Sequence, residues 1–199
     1  MTPPPAVSDI ADPAGRAHPA AVPPPRAVAG DDGPTVRHRS DRERLGTSAF
    51  TMTLRRQLGG DVYADRVDSG TKSADAAMAG RLDVPPGHPL VARLVILRTA
   101  ATGAAIAVGE SYLAVERLLP AERVALQTSD RPLGDVLDVQ ACDRILLGGA
   151  PGGRRGWIAE VLSCTPDRLL GRTTVIIRGG RPLTVVSEWW QTCDEEHDR

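Results

Sequence analysis

The segment TTVIIRGGRPLTVVSEWW, from Thr173 to Trp190, constrains the fold of this chain more than any other. It contains two stretches rich in β-branched and aromatic residues, which are typical of strands, separated by Gly179 and Gly180. Two glycines in a row readily adopt the positive φ angles of a two-residue hairpin turn. The segment therefore predicts an antiparallel β-hairpin.

Earlier segments continue this pattern. The sequence predicts long strands over LVARLVILRT and AAIAVGESYLAV, with a turn at Thr102–Gly103 between them, and a shorter strand over DVYADRVD. Helices are predicted over AFTMTLRRQL, ended by Gly59–Gly60, over ERLLPAERVALQ, where Pro120 is an interruption or a new start, and over SDRPLGDVL, where Asp130 is a capping candidate. Strands that are close in sequence and joined by turns pair antiparallel. The predicted fold class is therefore α+β, a single antiparallel β-sheet flanked by helices.

The two ends of the chain differ from this middle part. Residues 1–45 are rich in Pro, Ala, Arg and Asp, with almost no large apolar side chains, so burial cannot offset the entropy of ordering them. We expect a disordered tail there, one folded domain over residues 46–192 and a polar tail over residues 193–199. The glycine-rich segment GGAPGGRRG, 148–156, is expected to be a flexible loop, and it lacks the Lys-Ser/Thr ending of a phosphate-binding loop.

Charge and cysteine content argue against several classes of protein. The 24 basic and 25 acidic residues leave a net charge of -1, which gives no general attraction to nucleic acid or to anionic membranes. The 3 cysteines form no CxxC pair and the histidines are scattered, so we expect no metal site and no disulfide framework. Because no apolar run reaches the roughly 18 residues of a membrane span, we expect a soluble, cytoplasmic protein.

One basic residue stands inside an apolar strand. Arg93 shares its predicted face with Val91 and Val95, and the other face of the same strand is also apolar, which indicates burial on both sides. An unpaired buried guanidinium costs several kcal/mol, so Arg93 needs an anion. That anion is either a ligand or a protein carboxylate, unless the side chain extends its charged end into water.

An acidic residue poses the same problem near the C-terminus. Glu188 shares its face with Val186 and Trp190, surroundings that raise the pKa of a carboxyl group unless a cation or a donor is close. It is either half of a structural ion pair, for example with Arg93, or a carboxylate positioned over a ligand hydroxyl or a proton to be moved. Glu110 is either a second inward carboxylate or a charge at the edge of a strand.

Taken in order, several segments resemble the chorismate pyruvate-lyase family, the 4-hydroxybenzoate synthases, and are closest to its divergent mycobacterial and archaeal branch. An arginine on the first long strand, followed later by GG-x-P and a glutamate-aromatic ending, carries the resemblance. The matching segments are TMTLRRQLGGDVYADRV (51–67), LVARLVILRTAATGAAIAVGESYLAVERL (90–118), DRPLGDVL (130–137) and GRTTVIIRGGRPLTVVSEWW (171–190).

The resemblance implies a lyase that converts chorismate to 4-hydroxybenzoate and pyruvate without a metal or an organic cofactor. It places the substrate arginine on Arg93 and the active-site glutamate on Glu188, as a base or as a group that orients the ring. Backbone contacts to the substrate fall on Met52 and Leu133, and Arg172 becomes a further substrate-binding residue. We expect chorismate as the small-molecule partner, no nucleic acid or membrane partner, and a monomer.

Two other readings belong to different functional classes. A related fold serves as the small-molecule sensor of bacterial transcription regulators, where it normally follows a winged-helix DNA-binding domain. Residues 1–45 are too short and too rich in proline to form such a domain, so the alternative that we retain is a non-catalytic domain that binds a phenolic acid. A catalytically inactive relative acting as a structural partner is a third possibility.

Overall fold

One six-stranded antiparallel sheet, in the order β1-β2-β3-β6-β5-β4, organises the residues described by the computed structural model, 50–137 and 141–192. The two predicted tails lie outside these residues. The strands are β1 (Val62–Ser73), β2 (Pro89–Thr99), β3 (Ala105–Leu113), β4 (Asp143–Gly148), β5 (Leu169–Arg178) and β6 (Arg181–Gln191). The predicted α+β class, with a single antiparallel sheet flanked by helices, is confirmed.

The C-terminal hairpin forms as its sequence predicts. Gly179 and Gly180 adopt φ angles of 54° and 75°, and they join β5 to β6. The local pattern did not predict the place of this hairpin in the sheet. Strand β6 pairs with β3, so the last described strand lies in the middle of the sheet. Residues near the C-terminus therefore become part of the most buried region.

Five helices accompany the sheet in the described ranges. They are α1 (Phe50–Leu58), α2 (Ala76–Leu82), α3 (Pro120–Thr128), α4 (Leu133–Val136) and α5 (Arg155–Val161), with 3₁₀ turns at Val115–Arg117 and Pro166–Arg168. Gly59, at a φ of 63°, follows α1 directly, and Pro120 opens α3 rather than interrupting a longer helix. No helix in this part of the chain is long and apolar enough to cross a bilayer.

Several sequence expectations about these elements were wrong. The residue before α4 is Pro132, and Asp130 does not cap that helix; its carboxylate instead lies 3.3 Å from Nη2 of Arg66. The strand β4 and the helix α5 were not predicted, and α5 begins at Arg155 within the expected flexible loop. The strand β4 has no alternation of buried and exposed residues because it lies at the sheet edge, so its sequence lacks the usual signal.

The sheet has two covered faces. The front face, which carries Arg93 and Glu188, is covered at one end by α1 and at the other by α3 and α4, through apolar clusters that include Leu54 and Leu126. The back face is covered by α2 and α5, through clusters that include Leu82 and Ile158. Each face therefore has two apolar regions with a strip of sheet between them.

Close packing on the back face gives a direct test of the β5–β6 register. A Cβ atom added to Gly171 would lie 2.7 Å from Cβ of Ala150 and 2.8 Å from Cδ1 of Trp189. Because the rigid, fully packed indole cannot give way, we expect Gly171→Ala to lower the free energy of unfolding by about 1–3 kcal/mol. Urea denaturation measures this loss. Gly70→Ala, on the same face of β1 with no atom within 4 Å of the added Cβ, is the matched control and should be close to neutral.

Candidate functional site

A strip of polar side chains crosses the front face between its two apolar regions. Strand register explains how residues far apart in sequence meet there: Gly109 of β3 pairs with Val95 on one side and with Glu188 on the other. Ser111, two residues further along β3, pairs with Arg93. Arg93 and Glu188 therefore share a face, with their strands about 10 Å apart across the intervening β3.

The partner of Glu188 is on the neighbouring strand. Nε of Arg172 donates a hydrogen bond of 2.7 Å to Oε2 of Glu188, and the two residues are direct cross-strand partners. The guanidinium of Arg172 also lies over the ring of Phe50, 5.2 Å from its centroid, and Phe50 packs against Trp190. The protein cation that compensates Glu188 is therefore Arg172; in the described contacts, Arg93 does not form this pair.

Glu188 remains in a strongly desolvated position despite this pair. Its side chain is 16% exposed and that of Arg172 is 11% exposed. Burial raises the pKa of Glu188 above its ordinary value, and the nearby charges of Arg172 and Arg144 oppose the shift without cancelling it. The carboxyl group can consequently exchange a proton closer to neutral pH than an exposed glutamate does.

Arg93 is buried without an anion. The residue is 3% exposed, and its Nε and Nη2 atoms have no hydrogen-bond partner in the described structure. Burial lowers the pKa of Arg93, and the charge of Arg66 acts in the same direction, whereas Asp130 opposes it. The partly buried Arg55, by contrast, donates two hydrogen bonds of 2.7 Å to the carboxylate of Asp135. The unpaired guanidinium of Arg93 is therefore an exception that needs a reason.

A second cation on the front face was missed by the sequence analysis. Arg144 lies on β4, is partly buried, and forms no ion pair or hydrogen bond within the described ranges. Burial lowers its pKa, and its charge interacts with Glu188 and Arg172. The one signal in the sequence was an arginine directly before the apolar run ILL.

The remaining predicted site residues lie at the two ends of this face. Met52 is on α1, with 39% of its surface exposed, and α1 covers the end of the sheet near Trp190. Leu133 is the first residue of α4 and packs in the apolar cluster at the opposite end. Their proposed backbone contacts to a ligand stay predictions.

Glu110 belongs to the other side of the sheet. It pairs in register with Leu94 and Ser187, both on the back face, and accepts a 3.1 Å hydrogen bond from the hydroxyl of Tyr112. The carboxylate lies on a helix-covered face of a central strand, on the opposite side of the sheet from Glu188. The front site thus contains one glutamate and several arginines.

Comparison with known proteins adds information on the fold. No protein-family model matches the sequence, and no curated protein matches it significantly. PhnF from Mycobacterium smegmatis is similar in structure, with a TM-score of 0.55 and 16% identity over 74% of this chain and 65% of that one. Its effector domain alone gives the same score over 90% of that chain. The ligand-binding domain of a putative GntR-family transcriptional regulator from Bordetella bronchiseptica has a TM-score of 0.50 and 20% identity, covering 67% of this chain and 84% of that one.

These likenesses show a shared architecture. At this level of identity they establish only the fold of the chain, which it shares with these regulator domains, and they leave its chemistry to the residues of the site. The chain spans about 65% of the length of the PhnF chain that it matches.

Because Arg93 is buried without an anion, its guanidinium should lower the stability of the ligand-free protein. We expect Arg93→Met to raise the free energy of unfolding of the ligand-free protein by about 1–3 kcal/mol, because it removes a buried, unsatisfied cation. Arg98→Met is the matched control on the same strand, where the guanidinium bonds Asp65 and the carbonyl of Gly103, each at 3.0 Å. That control should not be stabilised. A large loss of stability in Arg93→Met would contradict the assignment.

The raised pKa of Glu188 predicts a specific pH dependence. Since the folded state holds this proton more tightly than the unfolded chain, the contribution of Glu188 to stability falls as pH rises from its ordinary value of 4.5 through its raised pKa. The slope for one proton is at most about 1.4 kcal/mol per pH unit. Urea denaturation from pH 4 to 8 should show this fall in the wild type relative to Glu188→Gln. Glu160→Gln, on the exposed surface of α5, is the control and should run parallel to the wild type.

Proposed function

We propose that this chain is a ligand-binding domain that holds a small organic anion against the front face of its sheet, with Arg93 as the principal anion-binding group. The observation that carries the proposal is the buried guanidinium without a partner. An arginine in this state gains two charge-assisted hydrogen bonds when a carboxylate arrives, and the cost of its burial is then offset.

The charges along the front strip suggest which groups the ligand carries. Arg144 and Arg172 add two positive charges to the front strip, and Glu188 contributes the only carboxylate among the strip residues described above. An anion is therefore favoured there, while Glu188 can accept a hydrogen bond from a hydroxyl group. A phenolic acid such as 4-hydroxybenzoate has both groups on a flat ring.

The fold supports a binding role by analogy. Two of the similar structures are described as the effector domain of PhnF and as the ligand-binding domain of a GntR-family regulator. Architecture alone is a weak argument for function. The analogy is useful here because the front face of this sheet also contains the buried guanidinium of Arg93, which has no hydrogen-bond partner for Nε and Nη2 in the described structure.

A second candidate function, chorismate pyruvate-lyase, is favoured by one specific feature. Glu188 has a raised pKa and shares the front face with Arg93, so a proton-exchanging carboxyl group and an anion-binding guanidinium face one side of the sheet. In that reaction chorismate loses its enolpyruvyl group as pyruvate and one ring hydrogen as a proton, which leaves 4-hydroxybenzoate. The aromatic product supplies the driving force, so the protein mainly positions the substrate and excludes water.

Each residue would have a distinct role in such a lyase. Arg93 would hold a substrate carboxylate, and Glu188 would accept the ring proton or orient the ring hydroxyl. Arg172 is bonded to Glu188, so its role would be to position that carboxylate rather than to bind substrate alone. Backbone groups of Met52 and Leu133 would complete the contacts from the helices at the two ends.

Two measurements on the same preparations test both candidates. Calorimetry with 4-hydroxybenzoate should show binding that Arg93→Met weakens about 10- to 100-fold, as expected for the loss of a charged hydrogen-bond pair. Arg98→Met should bind like the wild type. Incubation with chorismate, followed by chromatography, then distinguishes the functions. Equal amounts of 4-hydroxybenzoate and pyruvate would identify the lyase, and unchanged chorismate with retained binding would identify the binding domain. Absence of both would favour an inactive structural partner.

A further inference from the structure

The back face of the sheet contains a cavity that the front site does not use. Its volume is about 530 Å³, within the range of small-molecule sites. Strands β1 and β2 form one side, and the glycine-rich segment and the first turn of α5 form the other. The lining residues are Val67, Asp68, Leu94, Gly153, Arg154, Gly156 and Trp157.

The shape of this cavity follows from local sequence. The pairing of β1 with β2 shifts between Arg66 and Asp68, so Val67 is an extra residue in the strand, which bends β1 at the rim. On the other side, added Cβ atoms at Gly153 and Gly156 would meet nothing within 4 Å. The glycines therefore leave open a space that larger side chains would occupy.

Two opposite charges line the cavity without being paired. Asp68 and Arg154 make no ion pair or hydrogen bond with each other, or with any other residue in the described part of the chain. Glu110 pairs with Leu94 in register, so a second carboxylate lies next to Leu94 on the same face, in β3. Burial and the charge of Glu110 raise the pKa of Tyr112, and the charge of Arg154 opposes this shift. Arg154 therefore acts electrostatically on this part of the back face.

The rest of the lining is apolar. Leu94, 5% exposed, forms the floor, and the indole of Trp157, a residue of α5, packs against the cluster that contains Leu94. A ligand with only charged groups would leave this surface exposed to water. One apolar or aromatic group of modest size would cover it.

We propose that this back-face cavity binds a zwitterion of the α-amino-acid class with an apolar or aromatic side chain. The ammonium group lies toward Asp68, the carboxylate lies toward Arg154, and the side chain packs between Leu94 and Trp157. This site is separate from the front site because the sheet itself lies between them. A neutral or singly charged molecule forms at most one of the two charge-assisted contacts, so we expect the site to favour a ligand that carries both charges.

Calorimetry of the whole chain with L-phenylalanine tests the chemistry of the ligand. We expect binding to the wild type and at least about tenfold weaker binding of two matched analogues. Phenethylamine lacks the carboxylate, and 3-phenylpropionate lacks the ammonium group. Equal binding of all three compounds overturns the proposal. So does the absence of heat from L-phenylalanine up to about 10 mM, since that concentration reveals even millimolar affinity.

Variants test the location. Asp68→Asn and Arg154→Gln should each weaken L-phenylalanine binding about tenfold. Gly153→Leu should abolish binding by filling the cavity. Because a Cβ atom added at Gly153 would meet nothing within 4 Å, we expect this variant to fold, and its melting temperature checks this. Arg93→Met should leave L-phenylalanine binding unchanged, so failure of the front-site proposal is distinguishable from failure of this one. Loss of binding in Arg93→Met, with binding retained in Gly153→Leu, places the ligand elsewhere and rejects the back-face site.

Discussion

The pairing of β6 with β3 is the constraint on which the rest of the structure depends. It brings the last described strand into the middle of the sheet, between one hairpin from the first half of the chain and β5 from the second. Glu188 therefore lies beside Gly109 in register, between the two covered ends of the front face. Without a cation on the adjacent strand, Glu188 would be costly there, and Arg172 provides that cation at 2.7 Å.

The charged residues on the front and back faces differ in their exposure to solvent. On the front face Glu188 and Arg172 neutralise each other, whereas Arg93 is left desolvated and unpaired. On the back face Asp68 and Arg154 keep contact with solvent, so neither bears such a penalty. The front face thus stores an unfavourable free energy that an anion can relieve, and the back face offers a cavity whose selectivity depends on matching two charges at once.

The same architecture can support either binding or catalysis, and what separates the two is small in chemical terms. Holding an organic anion requires Arg93 and an enclosing wall. Converting chorismate additionally requires that Glu188 change its protonation state or hold the ring in the reactive orientation. The bond from Arg172 favours the ionised carboxylate while burial favours the protonated one, so this balance decides which role is open to Glu188.

Much of the fold could be predicted from local pattern. Alternating apolar residues and the Gly179–Gly180 turn determined the hairpin, and the intrusion of Arg93 and Glu188 into apolar strands identified both as unusual. Local pattern missed β4, because an exposed edge strand has no alternating burial, and with it missed Arg144. It also misplaced Asp130, which bonds Arg66 from β1 instead of capping α4.

What the sequence by itself determined is which side chains within one strand share a face, since that follows from a period of two. Only the tertiary structure decided which strands are neighbours and in which register. Strand order and register make Arg172, and not Arg93, the ion-pair partner of Glu188. They also place Glu110 on the back face, where it accepts a hydrogen bond from Tyr112. The reason is physical: alternation is a property of the local backbone, whereas strand order and register are set by the burial of all the apolar surfaces together.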